Sequence, residues 1–203
     1  MAFGSAGNIL RVNLSNEKIW IENPNERFYR RYFGGRALIA YYLLEETCPK
    51  FDPLGPENKL IFATGVLTGA PFPGSGRNSV GAKSPLTGAY GDTEVGGFWG
   101  ADLKGAGFDA IIVDGRARSP VYLWVHDGQA EIRDAKHLWG KDTGESQDSI
   151  RQELNDVSVR TAQIGPGGER MVRYACIIND LRHAGGRTGM GAVMGSKNLK
   201  AVA

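Results

Sequence analysis

Apolar residues at Ile9, Leu10, Val12 and Leu14, and again at Ile19, Trp20 and Ile21, flank the polar run Ser15-Asn16-Glu17 and predict a β-hairpin. Asn23-Pro24-Asn25 reads as a helix start, and residues 26–33 are helical in pattern until Gly34-Gly35. A second helix is predicted over 36–46, with Leu38, Tyr41, Tyr42 and Leu44 as its apolar stripe. Residues 60–63 form a buried-strand run, 69–78 a Gly/Pro-rich loop, 80–83 a short strand and 84–88 a turn. Helical character returns over 97–106. A strand over 110–113 and a second hairpin, 121–125 with 131–133 across Asp127-Gly128, follow. Residues 143–154 read as a helix capped by Thr143. Strands are expected over 159–164 and 171–178, a last helix over 191–197, and an apolar strand from Leu199.

Strands arriving as hairpins, with helices interspersed irregularly, predict an α+β fold of mostly antiparallel sheets rather than a doubly wound parallel one. The second hairpin repeats the pattern of the first, which suggests internal duplication. No linker divides the chain, so residues 1–203 are read as one domain. An apolar strand running up to Ala203 carries the expectation that the chain continues beyond it.

With 41% hydrophobic residues a folded core is expected, and a net charge of +2 gives no ground for nucleic-acid binding. Cys48 and Cys176 stand far apart, without a C-x-x-C pair, and read as partly buried thiols; no cysteine cluster is present to ligate an iron–sulfur centre. The tryptophans Trp20, Trp99, Trp124 and Trp139 are read as core packing, and His126 and His137 as surface residues. No signal-peptide pattern or membrane-length apolar run is visible, so a cytoplasmic location without membrane partners is expected. The unusual feature is glycine, 29 of 203 residues, clustered between apolar runs.

Three clusters carry candidate chemistry. In Gly74-Ser75-Gly76-Arg77-Asn78 the backbone can pass close to an anion while Arg77 offers a planar fork of donors; the plainer reading is a tight turn with a solvated arginine. Gly185-Gly186-Arg187-Thr188-Gly189-Met190-Gly191 feeds a helix N-terminus beside Arg182 and His183, an arrangement suited to a phosphate; the alternative is a packing loop. It is not a Walker loop, since Gly195-Ser196-Lys197 lacks the required spacing, nor a dinucleotide fingerprint, because Met194 stands where the last glycine would fall. In Gly91-Asp92-Thr93-Glu94-Val95-Gly96-Gly97 the acidic residues could hold magnesium or cap a helix.

Across nearly the whole chain these segments resemble the aldehyde:ferredoxin oxidoreductase family. The resemblance is carried by Asn58-Lys59-Leu60-Ile61, Leu67-Thr68-Gly69, Gly76-Arg77, Lys83-Ser84-Pro85-Leu86-Thr87-Gly88, Gly96-Gly97, Gly168-Glu169 and the run from Gly191 to Ala201. It implies an internally duplicated domain of two sheets with flanking helices, the N-terminal base for a tungsten or molybdenum bis-pterin whose phosphates share a magnesium ion. By the same resemblance, Arg77, Glu94, Gly96, His183, Ala184, Gly186 and Arg187 stand at cofactor-contacting positions, with Glu94 and the Ala184 carbonyl facing magnesium. Two positions depart from the pattern. Glu94 replaces an asparagine, and His183 preceded by Arg182 replaces an arginine. The implied chemistry is oxidation of aldehydes to carboxylic acids, with a 4Fe–4S cluster held outside this chain. The implied partners are the remaining enzyme domains, ferredoxin, the aldehyde and a second copy of the full-length chain. Reductive chemistry on a carboxylic acid or aromatic thioester, and a non-catalytic phosphate-binding scaffold, are the alternatives.

Overall fold

In the computed structural model, which describes residues 4–203, the chain forms twelve strands and six α-helices. The first half runs β1 (Ile9–Asn13), β2 (Lys18–Glu22), α1 (Glu26–Tyr32), α2 (Gly35–Glu46), β3 (Leu60–Thr64), β4 (Asn78–Lys83), β5 (Tyr90–Val95), α3 (Trp99–Gly105) and β6 (Ala110–Asp114). The second runs β7 (Val121–His126), β8 (Gln129–Asp134), a 3-10 turn, α4 (Thr143–Leu154), β9 (Ala162–Gln163), α5 (Pro166–Glu169), β10 (Ile177–Asn179), β11 (His183–Gly185), α6 (Met190–Ser196) and β12 (Leu199–Val202).

The two six-stranded sheets have orders β2-β1-β6-β3-β4-β5 and β8-β7-β12-β9-β10-β11. Adding six to each strand number of the first sheet yields the second. In each, the leading strand of a hairpin pairs in parallel with the last strand of its half, β1 with β6 and β7 with β12; the other neighbours are antiparallel. The expected duplication is therefore complete in topology, and it extends to α3 and α6, which enter from equivalent loops.

Alternation within strands builds the layers. Leu60 and Phe62 of β3 face a central core that also takes in Trp99 and Leu103 of α3, Met190, Val193 and Met194 of α6, and Leu199 and Val202 of β12. Ile61 and Ala63 face the other way, onto Leu38, Ile39, Tyr42 and Leu43 of α2. Tyr122 and Ala201 of the second sheet pack against Ile150 of α4. Beneath α2, Arg11 is buried among Glu22, Glu46 and Asp114, and Lys59 joins Glu46 and Asp114.

Several sequence expectations are corrected. Leu44 is 81% exposed, and Leu43 and Ile39 take its place in the stripe of α2. The cap of α4 is Asp142, closing a capping box with Glu145, not Thr143. The run 159–164 contributes only the two-residue β9. Within 171–178 only the end is strand, because Gly165-Pro166 starts α5 and Met171 turns at φ 55°. Of the four tryptophans, Trp99 alone is a buried core residue; Trp20 is exposed on β2, where the cations Arg11 and Lys18 lie over its ring. Cys48 is exposed. No helix among the described residues is long and apolar enough to cross a membrane.

Candidate cofactor-binding site

The strands β5 and β11 are the outer strands of the two sheets, at equivalent positions in the two halves, and they lie side by side. The seam is fastened by polar contacts. The Arg187 amide donates to Thr93 Oγ1 at 3.3 Å, and the Thr188 hydroxyl donates to the Asp92 carbonyl at 3.1 Å. Residues 90–95 form a strand, and the paired glycines Gly96-Gly97 lead into α3 as read, but neither Asp92 nor Glu94 caps that helix.

Glu94 and Ala184 are each the penultimate residue of their strand, so they are counterparts across this seam. The Glu94 carboxylate accepts from Ser79 Oγ at 2.6 Å and pairs with Arg36 at 3.1 Å; Arg36 also pairs with Asp92 at 2.8 Å. The additional negative charge at this position is thereby met by a cation that sequence reading did not single out, since Arg36 lies 58 residues away at the start of α2. Burial, reinforced by Asp92, pushes the neighbouring Tyr90 hydroxyl up.

Two open clefts flank the seam. One, of 530 Å³, is lined by Arg36, Thr68, Arg77, Ser79 and Glu94 among others. The second, of 650 Å³, includes Phe72, Arg77, Gly96, Gly97, Phe98 and His183. Arg77 belongs to both. Its backbone is fixed by the Thr68 hydroxyl, which donates to the Arg77 carbonyl at 2.8 Å, while its side chain is exposed. The loop beneath is held by Lys104, whose Nζ donates to the carbonyls of Gly65 and Val66 at 2.6 and 3.1 Å; burial pushes that ammonium down. Four of the seven predicted residues, Arg77, Glu94, Gly96 and His183, line these clefts. Ala184, Gly186 and Arg187 are exposed beyond them on the second half's side of the seam.

The N-terminus of α6 is not an anion site. The whole helix is buried, the Gly191 amide donates to the Ala175 carbonyl at 3.0 Å, and a Cβ on Gly195 would collide with the Gly168 carbonyl oxygen. The glycines from 189 onward therefore serve close packing, as the plainer reading had it. Gly186 differs. A Cβ there would meet nothing within 4 Å, so the chain itself has no steric need for glycine at this exposed point. Among the described residues Arg77, Arg182 and Arg187 have no carboxylate partner within ion-pair distance. Arg182 and Arg187, unpaired guanidiniums on either side of the accessible Gly186 backbone in the chain, fit a phosphorylated group.

Residues 9–203 match the sequence profile described as "Aldehyde ferredoxin oxidoreductase, N-terminal domain". The chain belongs to the aldehyde ferredoxin oxidoreductase family. Within that family it is 52% identical over 200 residues to a tungsten-containing aldehyde ferredoxin oxidoreductase of Pyrococcus abyssi, covering 98% of this chain and 33% of that protein. It is 41% identical over 212 residues to the WOR-like subunit of an aliphatic sulfonate oxidoreductase of Pyrococcus furiosus, covering 97% and 34%. Among solved structures it resembles a chain of the active-site complex BamBC of benzoyl coenzyme A reductase bound to 1,5-dienoyl-CoA. There the TM-score is 0.96 at 40% identity, over 100% of this chain and 31% of the other. The chain thus spans about a third of the length of the curated relatives it matches.

Proposed function

We propose that this domain is the N-terminal base of a tungsten- or molybdenum-pterin oxidoreductase that converts aldehydes to carboxylic acids. The observation that carries the reading is the meeting of two equivalent edge strands, bordered by three arginines without carboxylate partners. A duplicated fold with one such strand per half suits a duplicated ligand, one pterin on each half. Glu94 and Ala184, counterparts across the seam, would hold a magnesium ion between the two sets of phosphates; the hard oxygens of a carboxylate and a carbonyl suit that ion. Arg77, reached from both clefts, would orient the pterin side facing the remaining domains. Gly96 and Gly186 would let backbone approach the pterins, with His183 and Arg187 donating to phosphate. Phosphate binding here is assigned to the exposed residues 183–187 and not to the helix end. When bound, the metal–pterin group supplies two-electron redox chemistry.

The whole enzyme would add a 4Fe–4S cluster, ferredoxin as acceptor and a second copy of the chain, all through residues outside this domain. The test is Arg77→Ala in the full-length protein, followed by metal and pterin analysis. Reduced metal–pterin occupancy or slowed electron transfer is expected; unchanged metal content and turnover would sink the assignment. The likeness to the benzoyl coenzyme A reductase complex favours one second reading, reduction of an aromatic thioester on the same base. Assaying the full-length protein with an aldehyde and with an aromatic acyl-CoA separates the two.

A further inference from the structure

We propose that Asn179 and Asp180 are positioning residues, through which the second half of the duplicated fold fixes the Gly96-Gly97 turn on the wall of the 650 Å³ cleft. The inference rests on the cofactor reading above. Asn179 closes β10 and is fully buried. Its Nδ2 donates to the Gly96 carbonyl at 3.2 Å and to Asn78 Oδ1 at 2.9 Å, a contact between side chains 101 residues apart. The chain then turns sharply, with Asp180 at φ 51° and Leu181 at φ 61°. Successive left-handed conformations at non-glycine residues are disfavoured and persist only where the surroundings impose them.

That turn delivers the Asp180 carboxylate to the entry of α3. Its Oδ2 accepts from the amide of Phe98 at 2.6 Å and from that of Trp99 at 3.3 Å. The Gly96-Gly97 turn is therefore gripped on both flanks, by its carbonyl on one side and by the following amides on the other. Gly97 lies between them at φ 94°, and a Cβ there would collide with Asp180 Oδ2 and the His183 ring. A shift of the β10–β11 turn would move Gly96, Gly97 and His183 together.

Asn179 and Asp180 do not line that cleft, so they act on a ligand held there only through the turn. Asn78 Nδ2, Asn179 Oδ1 and Asp180 Oδ1 are buried with no hydrogen-bond partner in the chain.

The experiment uses the full-length protein as wild type, Asp180→Ala and Asp180→Asn. Tungsten and molybdenum are measured by mass spectrometry, released pterin by fluorescence, and hydrogen exchange at residues 97–99 by mass spectrometry. Asp180→Ala is expected to lower pterin and metal content about tenfold, by analogy with loss of a supporting contact behind a bound metal, and to speed exchange at 97–99. Asp180→Asn keeps an oxygen acceptor and is expected to restore both. Full pterin content and unchanged exchange in Asp180→Ala would overturn the inference, as would an asparagine variant no better than the alanine one. A wild-type protein without pterin would instead refute the cofactor reading, and the exchange comparison would still decide whether Asp180 holds the turn.

Discussion

Lys200 and Glu169 form an ion pair closed off from water: Nζ lies 2.5 Å from Oε1, with the side chains 0% and 4% exposed. Lys200 also donates to the Lys141 carbonyl at 2.9 Å, and Glu169 Oε2 accepts from the Gly140 amide at 2.8 Å, so the pair ties β12 and α5 to the loop before α4. Removing one partner strands a buried charge, which costs about 3–5 kcal/mol. Lys200→Met should lose stability of that order in urea unfolding, and Lys200→Met with Glu169→Leu should recover a large part of it. Additive losses in the double variant would show the charges to be uncoupled.

Lys197 is buried with Nζ donating to the carbonyls of Asn58 and Gly115 at 2.5 and 2.9 Å. Burial pushes its ammonium from the ordinary 10.5 down to about 7, with Asp114 opposing the shift. Between these values the unfolded chain holds the extra proton. Stability should therefore rise with pH from about 7 toward 10.5, with the lysine contribution flat below 7. Lys197→Met should remove this slope from unfolding free energies measured across that range, and an identical slope in both proteins would contradict it.

Glu46 is drawn in opposite directions: burial pushes its carboxyl up, but hydrogen bonds and charge from Arg11 and Lys59 bring it below the ordinary 4.5. Its contribution is present above the unfolded value and disappears as pH falls through the lower folded one. Glu46→Gln should be destabilising at pH 7 and close to neutral in strong acid, as read by denaturant titration at both pH values. Equal losses at the two would remove the ionic explanation.

Gly195 and Gly186 should respond oppositely to alanine. At Gly195 the methyl group would run into the Gly168 backbone, and a loss of more than about 3 kcal/mol is expected in thermal or chemical unfolding. At Gly186 it meets no atom of the chain, so stability should stay within about 1 kcal/mol while the pterin content of the full-length protein falls. Normal pterin content in Gly186→Ala would separate this loop from the ligand.

Most of the fold was legible because local chemistry and tertiary demand agree. The turn at Asn16, the break at Gly34-Gly35 and the Asp127-Gly128 turn each fall where an element ends. The misreadings occur where they conflict. Leu44 fits a helical stripe as well as Leu43, and only the packing of α2 on β3 and β4 selects between them. Gly91 and Gly96 disguise β5, whose pairing with β4 depends on partners 7 to 17 residues away. The amides of α6 seemed free because the segment that takes the Gly191 amide, around Ala175, reads as a strand in the sequence but folds as an irregular stretch. Arg36 and the Asn179-Asp180 clamp had no local signature, since their partners lie 56 to 101 residues away.

β12 lies inside its sheet, parallel to β7 and antiparallel to β9. During synthesis, therefore, the β7–β8 ribbon and the β9–β10–β11 meander cannot join until the ribosome has released residue 202. The first sheet waits likewise for β6 before its β1–β2 ribbon meets β3. Each half is closed by its last strand to emerge, so a nascent chain stalled before residue 199 should present an open, chaperone-dependent second half.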